Sequence, residues 1–568
     1  MKRTSFASII VLVFELVFWG VQLAQAQVDT AWVRRYKGGP GDYYDDLAHA
    51  IAVDGSGNVY VTGFSWGSWE TADDYATIKY EPEGDTAWVR RYNGPGNSTD
   101  YAYDIAVDGS SNVYVTGWSI SSGTNRDYAT IKYEPNGNIA WVRRYNGPAN
   151  GWDYAEAIAV DGSGNVYVTG GSIGSALPDF DYATIKYYPN GDTAWVRRYN
   201  QANGYDRASA IAVDDSGNVY VTGQSIGIGT DYDYATIKYY PNGDTVWMRI
   251  YNEANGGDIA YDIAVDGLGN VYVTGGSIGI GTSRDYATIK YYPNGDTAWM
   301  RRYNGPGNGT DCALAIAVDG SGNVYVTGGS VGDGTNGDYA TIKYEPNGNT
   351  AWVKRYNGPG NGWDQPWDAI AVDDSGNVYV TGESIGSGTD YDYATIKYYP
   401  NGDTAWVRRY NGPGNDSDVA CDITVDGSGN VYVTGGSNGT AGFDYATIKY
   451  SEGPPPCSYL PGDVNMALGI WPPTVIGGDV TYLVGYFIGG GQESCLLDGF
   501  WCSADINGDC LIIGGDVTAL VGYFVAGGAL TFCPDYEPAW PPVPDNPPSG
   551  WPNCDTPVIN SRVIPTGE

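Results

Sequence analysis

The phrase VYVTG begins at Val59, Val113, Val166, Val219, Val271, Val324, Val378 and Val431, and DYATIKY follows each copy, from Asp74, Asp127, Asp181, Asp233, Asp285, Asp338, Asp392 and Asp444. A unit of about 53 residues is thus written eight times in succession. Such a period marks an array of supersecondary units, none of which buries its apolar face alone.

Each unit contains four strand patterns. In the first they are 48–54 (AHAIAVD), 58–63 (NVYVTG), 74–80 (DYATIKY) and 86–92 (TAWVRRY). Val, Ile, Thr, Tyr and Trp suit extended chain packed side by side. Gly55-Ser56-Gly57 separates the first two patterns and Pro82-Glu83-Gly84-Asp85 the last two, both tight-turn chemistry. Consecutive hairpins predict a four-stranded antiparallel meander with apolar groups on both faces, Ile51 and Val53 on one and Ala50 and Ala52 on the other. Stacking such sheets face to face in a ring buries both faces, with the Ala-rich first strands at the crowded axis. The chain opens on an orphan fourth strand, 30–36 (TAWVRRY), and the eighth unit stops after its third, 444–450. The predicted fold is therefore all-β: an eight-bladed propeller whose last sheet is completed by the N-terminal strand, leaving no open end. An open solenoid, the alternative, needs no such register.

The text DYATIKYYPNGDTAWVRRYN…IAVDGSGNVYVTG, from about residue 30 to 450, resembles the bacterial SBBP β-propeller repeat, and its IAVD…GNVYV core is similar to NHL repeats. The resemblance implies a propeller, usually on exported or surface proteins, and implies no reaction.

Composition narrows the partners. Acids number 66 against 30 bases, a net charge of −36. Nucleic acid and anionic membrane surfaces are poor partners for such a chain, because binding them draws on Lys and Arg. Lys2 and Arg3, an apolar stretch from Ile9 to Trp19 and Ala24-Gln25-Ala26 read as a secretory signal peptide over 1–26. Glu15 interrupts that stretch, so an uncleaved anchor is the alternative. After cleavage no segment is apolar enough to span a bilayer, which predicts an extracellular or cell-surface protein. Of the eight Cys, Cys312 and Cys421 lie in the repeats; the other six crowd the C-terminal region, where an exported protein is expected to form disulfides of undetermined pairing. Cys312 and Cys421 belong to blades six and eight, too far apart to bridge.

Two tight, uniform turns share one end of each predicted blade, while connections such as 64–73 (FSWGSWETAD), 118–126 and 361–367 (NGWDQPW) vary between copies at the other. What repeats serves the ring; what varies can serve function. The variable rim holds Trp66, Trp69, Trp118, Trp152, Trp363 and Trp367, which either stack on a glycan or protein ligand or shield blade edges beneath the loops. The in-register Trp series from Trp32 to Trp406 reads as packing. The recurrent DGSGN alternates oxygen-bearing residues, but it lacks the terminal acid of a calcium loop and sits where a hairpin must turn. His49, the only His, reads as an ordinary strand residue, and its solitude excludes His-clustered zinc and disfavours a Ser-His-Asp triad. Quinoprotein and sialidase motifs are absent. Rim acids such as Asp45, Asp46 and Asp153 are the raw material for a glycosidase pair, though nothing selects two of them.

Beyond a Pro-rich linker at 451–461, residues 462–533 hold a twofold pattern. Its second half sets Asp505, Asn507, Asp509 and Asp516 at loop positions one, three, five and twelve, with the Leu511 carbonyl at seven, a spacing that wraps oxygens around Ca²⁺. Val517, Leu520, Val521 and Phe524 then form a helical apolar stripe. Duplicated calcium loop plus helix resembles a dockerin, which implies a cohesin-like protein partner. Cys510, Ile513 and Gly514-Gly515 depart from the usual dockerin residues, and the first loop keeps Asp463 and Asn465 but has Ala467 and an insertion. The Pro- and Trp-rich tail, 534–568, is unassigned. Two functions fit the whole: an exported non-catalytic propeller binding a glycan or protein and tethered by the dockerin-like module, or a polysaccharide hydrolase or lyase displayed by the same module.

Overall fold

The computed structural model describes residues 28–452, apart from 40–44, 124, 175–178, 202–203, 228–230, 254–255, 280–282, 440–441 and the side chain of Asp368. The first strands are β1 (Val28–Tyr36), β2 (Asp46–Val53), β3 (Val59–Ser68), β4 (Ala72–Tyr80) and β5 (Thr86–Tyr92). Strands β2 to β5 form the first blade, a four-stranded antiparallel meander in sequence order, and six more blades repeat it over 100–145, 153–199, 206–251, 258–303, 311–356 and 364–410. The eighth blade joins Asp418–Val425, Val431–Asn438 and Phe443–Glu452 to β1, in the sheet order first, second, third, then β1 at the outer edge. The predicted eight-bladed, N-terminally closed propeller is what forms.

First strands of adjacent blades lie against one another around the axis. Their Ala residues are fully buried at Ala48, Ala102, Ala155 and their counterparts, so the small side chains permit close approach at the centre. Toward the periphery the gap between blades widens and larger groups fill it. Trp88 packs between Tyr60 of its own blade and Tyr133 of the next, with ring centroids 6.2 and 5.9 Å away, and its indole N–H donates to the Pro135 carbonyl at 3.1 Å. Burial of such a ring contributes about 1.5–3 kcal/mol or more. The in-register Trp series is therefore packing, as its regularity suggests.

The blades are also pinned to one another by a circle of hydrogen bonds. The Tyr75 hydroxyl donates to the Ala129 carbonyl of the next blade at 3.1 Å, Tyr128 to Ala183 likewise at 3.1 Å, and so on around the ring. Tyr445 of the last blade donates to Ala76 of the first at 3.1 Å and completes the circle. Within each blade two buried threonine hydroxyls from the second and third strands meet, Thr62 and Thr77 at 3.0 Å in the first. These bonds explain why DYATIKY and VYVTG scarcely change: each position answers to a neighbouring blade.

The seam of the ring differs in one respect. Seven blades have a turn before their fourth strand, and in six of them its Gly carbonyl accepts an Arg from the preceding blade, as Gly137 accepts Arg90 Nε at 2.6 Å; at Gly402 the residue is Lys354. The eighth blade has no such turn, because its fourth strand comes from the other end of the chain. Arg408 donates instead to the Val28 carbonyl at 2.7 Å, where β1 begins.

Strand limits depart from the sequence reading at the variable end. The stretch 64–73 is mostly strand, since β3 continues to Ser68 and β4 starts at Ala72. Trp66 pairs with Asp73 and Trp118 with Tyr101 and Tyr128, both inside ladders, and Trp367 lies within the strand Asp364–Val372. The Gly and Ser around these residues masked hairpin chemistry that continues the ladder. Gly63 has its own steric reason: a Cβ there would come within 2.0 Å of the Leu47 carbonyl. Cys312 and Cys421 both remain thiols, in agreement with their assignment to non-adjacent blades.

A candidate ligand-binding rim at the variable end

The repeated polar residues are consumed by the fold. In the DGSGN turn, Asp54 Oδ1 accepts the backbone N–H of Ser56 at 2.9 Å and of Asn58 at 3.0 Å, while Oδ2 accepts from the Asn58 amide and the Tyr60 hydroxyl, each at 2.8 Å. Burial pushes this carboxyl up, but the hydrogen bonds from Asn58 and Tyr60 outweigh it and hold the group below the ordinary aspartate value. The motif is a self-satisfied turn. Among the described residues, no cluster of His, Cys, Asp and Glu is arranged to hold a metal ion.

The rim acids behave similarly. Asp46 Oδ2 accepts the Gly38 N–H at 3.0 Å and Oδ1 the Trp66 N–H at 2.9 Å, and Asp153 accepts the Gly147 N–H at 2.7 Å. These aspartates are buried, and burial raises their pKa; the equivalent Asp100 is pushed up to about 6. They staple the variable loops to the blades. Asp45 stands outside this set and accepts the Phe443 N–H at 3.1 Å. A further clamp repeats in seven blades: Arg91 reaches the Ser65 hydroxyl at 2.6 Å, Asp74 at 3.0 Å and the Tyr36 hydroxyl of the preceding blade at 3.3 Å. In the fourth blade Ile250 replaces the Arg.

Against that background two positions of the first strand change most from blade to blade, that of Leu47 and that of His49. The β2–β3 register shifts between Ala48 and Ala50, so His49 is the extra residue of a β-bulge. The same shift isolates Tyr103, Glu156, Ser209, Tyr261, Leu314 and Cys421, and in the seventh blade it falls between Pro366 and Ile370. A bulge re-aims a side chain, and bulges cluster where strands carry function. Here the re-aimed groups meet their counterparts on adjacent blades. The His49 ring lies 5.7 Å from Phe64 and 5.4 Å from Tyr103. Burial lowers its pKa to about 4, so the imidazole is neutral at physiological pH. Trp118 Nε1 donates to the Tyr103 hydroxyl at 3.2 Å, and Glu156 pairs with Arg207 of the next blade.

Around these residues runs an aromatic belt confined to blades one to four. Phe64 stacks on Tyr101 at 4.2 Å, Tyr101 meets Trp118 at 4.8 Å, and Trp118 meets Tyr154 at 6.2 Å. Tyr154, Phe180, Tyr205 and Tyr232 continue it at 5.9, 5.1 and 6.0 Å. Arg126 lies over Trp118 at 4.1 Å, 5.3 Å from the Tyr154 ring and 5.9 Å from Trp152. The position of Phe64 and Trp118 is aromatic in blades one and two alone; in blades three to eight it is Gly171, Gln224, Gly276, Gly329, Glu383 and Gly436. The ring is eightfold in its frame and one-sided on its rim.

The six rim tryptophans divide accordingly. Trp118 is only 2% exposed and braces the belt from beneath. Trp66 is half-buried and meets Trp69, which is 85% exposed, edge to face at 5.7 Å. Trp152 is 40% exposed at the edge of the belt. Trp363 and Trp367, 50% and 40% exposed, belong to the seventh blade, with the eighth between them and the first. The six do not form one site. The bulge residues and the tyrosines of the belt were missed by attention to the loops alone; the signal was the variable residue between the constant alanines of AxA and DIAV.

The frame has recognisable relatives. Residues 32–68, 87–123, 140–178, 194–230, 246–281 and 405–444 match the β-propeller repeat termed SBBP. The chain carries SBBP β-propeller repeats. The uncharacterized WD repeat-containing protein L264 of Acanthamoeba polyphaga mimivirus is 23% identical over 69% of this chain, and the SBBP-repeat chain spans 33% of that relative's length. Among solved structures, Chaetomium thermophilum Sqt1 bound to the N-terminus of the ribosomal protein L10 aligns over 74% of this chain and 100% of its own, with a TM-score of 0.45 and 10% identity. A Bacteroides caccae protein of unknown function aligns over 52% of this chain and 93% of its own, with a TM-score of 0.29 and 13% identity.

The signal peptide, the linker, the calcium loop of Asp505, Asn507, Asp509, Leu511 and Asp516, the six C-terminal Cys and the tail all lie outside the described residues. Among the described residues, no helix is long and apolar enough to cross a membrane.

Proposed function

We propose that this protein is an exported, non-catalytic binding propeller that recognises a glycan on the variable rim of blades one to four and is tethered through a calcium-dependent, dockerin-like C-terminal module to a cohesin-like partner. The aromatic belt carries the reading. Partly exposed rings, several bearing hydroxyls, suit a chain of flat polar rings that each have an apolar face. The rim acids Asp46 and Asp153 support it from the other side, because both are buried and accept loop N–H groups, Asp46 through both oxygens and Asp153 through Oδ2, and are poorly placed to act on a substrate. The acidic sequence, the signal-like N-terminus and the spacing of Asp505, Asn507, Asp509 and Asp516 support export and Ca²⁺ binding.

A hydrolase or lyase is the second reading, and Glu383 is the observation that favours it. Burial pushes this carboxyl up to about 7, against a hydrogen bond from Trp367, and Asp390 adds to the shift; that value is in the range of a general acid. Retention on immobilised polysaccharides, with soluble products assayed in parallel, separates the two. Binding without cleavage, lost in Trp152→Ala and unchanged in Glu383→Gln, is expected. Cleavage abolished by Glu383→Gln establishes the enzyme instead.

A further inference from the structure

Arg126 is the anomaly on this rim. Most described arginines are held either by a carboxylate or by a backbone carbonyl across the blade gap, as Arg90 is by Gly137. Arg91 and its counterparts each hold an Asp, and Arg207 holds Glu156. Arg126 instead donates Nη1 to the Tyr154 hydroxyl at 2.6 Å and lies over Trp118 at 4.1 Å. A guanidinium has five N–H donors in a fixed fork; among the described residues no carboxylate pairs with this one, and the Trp118 ring backs it at 4.1 Å. Trp152, 40% exposed, lies 5.9 Å from the guanidinium carbon.

We propose that Arg126 is the specificity-determining residue of the rim and that it selects an acidic glycan by taking the carboxylate of a uronate residue in its fork, while Trp152 receives the face of that sugar or its neighbour. The inference rests on the glycan-binding reading and adds the ligand's charge. Planar, bidentate capture of a carboxylate is what a pre-oriented guanidinium does best. The net charge of −36 opposes a polyanion at long range, but at physiological ionic strength exposed charges are screened beyond about 8 Å. The local cation then governs the contact. A carboxylate-rich peptide would satisfy the same fork; the hydroxylated ring faces around it favour a saccharide.

The test is calorimetric titration of the full chain with an oligogalacturonate, its methyl-esterified counterpart and a poly-glutamate peptide. The acid is expected to bind roughly tenfold to hundredfold more tightly than the ester, the worth of hydrogen bonds to a charged group, and Arg126→Gln should erase that difference. Arg126→Lys, which keeps the charge but loses the fork, should retain only part of it and serves if Arg126→Gln unfolds. Equal affinity for acid and ester overturns the proposal while leaving glycan binding intact, provided Trp152→Ala weakens both. An acid preference that survives Arg126→Gln, or peptide binding equal to that of the uronate, also overturns it. Failure of both saccharides to bind removes the glycan reading as well.

Discussion

Deleting β1 tests whether the ring is held at one seam. Three of its side chains bear on that seam. Trp32 packs between Tyr80 and Tyr432 at 5.8 and 6.1 Å and donates to the Pro82 carbonyl at 3.1 Å. Val28 is buried against the eighth-blade core. Arg35 reaches Asp444 at 2.9 Å and the Tyr410 hydroxyl at 3.2 Å. Loss of the Trp ring from a packed site costs about 3–5 kcal/mol, the Val about 1.5–3 kcal/mol, and the charged hydrogen bonds about 1.5–3 kcal/mol. Their sum is on the order of the whole stability of an ordinary domain. It falls on one blade, and it also exposes the strand Phe443–Glu452 as an open edge. Residues 28–36 should therefore be indispensable to a monodisperse protein. Removing them should lower the melting temperature, with hydrogen exchange rising first in Phe443–Glu452, and should promote aggregation; a synthetic peptide of residues 28–36 should restore both properties. A truncated chain that melts like the parent and stays monomeric refutes closure by β1.

The inter-blade tyrosines provide a finer version: Tyr445→Phe at the seam and Tyr128→Phe within the ring each strip a carbonyl of its donor, and each should destabilise by about 1–3 kcal/mol, equally in denaturant titrations if the seam is an ordinary joint. Trp118→Ala should lower stability by about 3–5 kcal/mol as a buried ring, whereas Trp69→Ala should leave the melting temperature unchanged. Asp100 and Asp206, pushed up to about 6 mainly by burial, contribute stability that is full below 3.8 and lost as pH rises through 6; Asp54, Asp108 and their lowered counterparts contribute stability that is present above 3.8 and lost as pH falls. The melting temperature should therefore be highest near pH 4–6, and a profile flat from pH 5 to 8 would contradict the burial of the rim aspartates. Chelating Ca²⁺ should lower the melting transition of the C-terminal module, and Asp505→Ala or Asp516→Ala should remove the difference; no response to chelation in calorimetry sinks the dockerin-like reading.

The frame was legible because each of its constraints is local and repeated. Gly57 and Gly84, both at positive φ, stand where two hairpins must reverse, and their copies recur at the same offsets. Trp88 and Tyr75 recur because each answers to the next blade, and one solved joint fixes the other seven. Even the closure could be read, since a fourth-strand pattern with no preceding blade has one free place in the ring. Strand ends were less legible. Trp66 and Trp69 sit among Gly, Ser and Thr, a composition shared by loops and by β3 as it runs out to Ser68, and only cross-strand pairing distinguishes them.

The rim was the least legible part, for a geometric reason. Sequence variation marks both loops that tolerate change and sites that require it, and the tryptophans in the loops drew attention first. The bulge separates the two cases. His49, Tyr103 and Glu156 each follow a fully buried alanine, Ala48, Ala102 and Ala155, and are set out of register by the bulge, so drift alone would have to act on single residues inside a packed ladder. Each of these residues also touches an equally variable partner: His49 meets Phe64, Tyr103 accepts from Trp118, and Glu156 holds Arg207. Variation that falls at a bulged register position and is matched by a contacting partner builds a surface that the eightfold frame does not need. That surface is where Arg126, over the Trp118 ring at 4.1 Å and bonded to the Tyr154 hydroxyl, is presented.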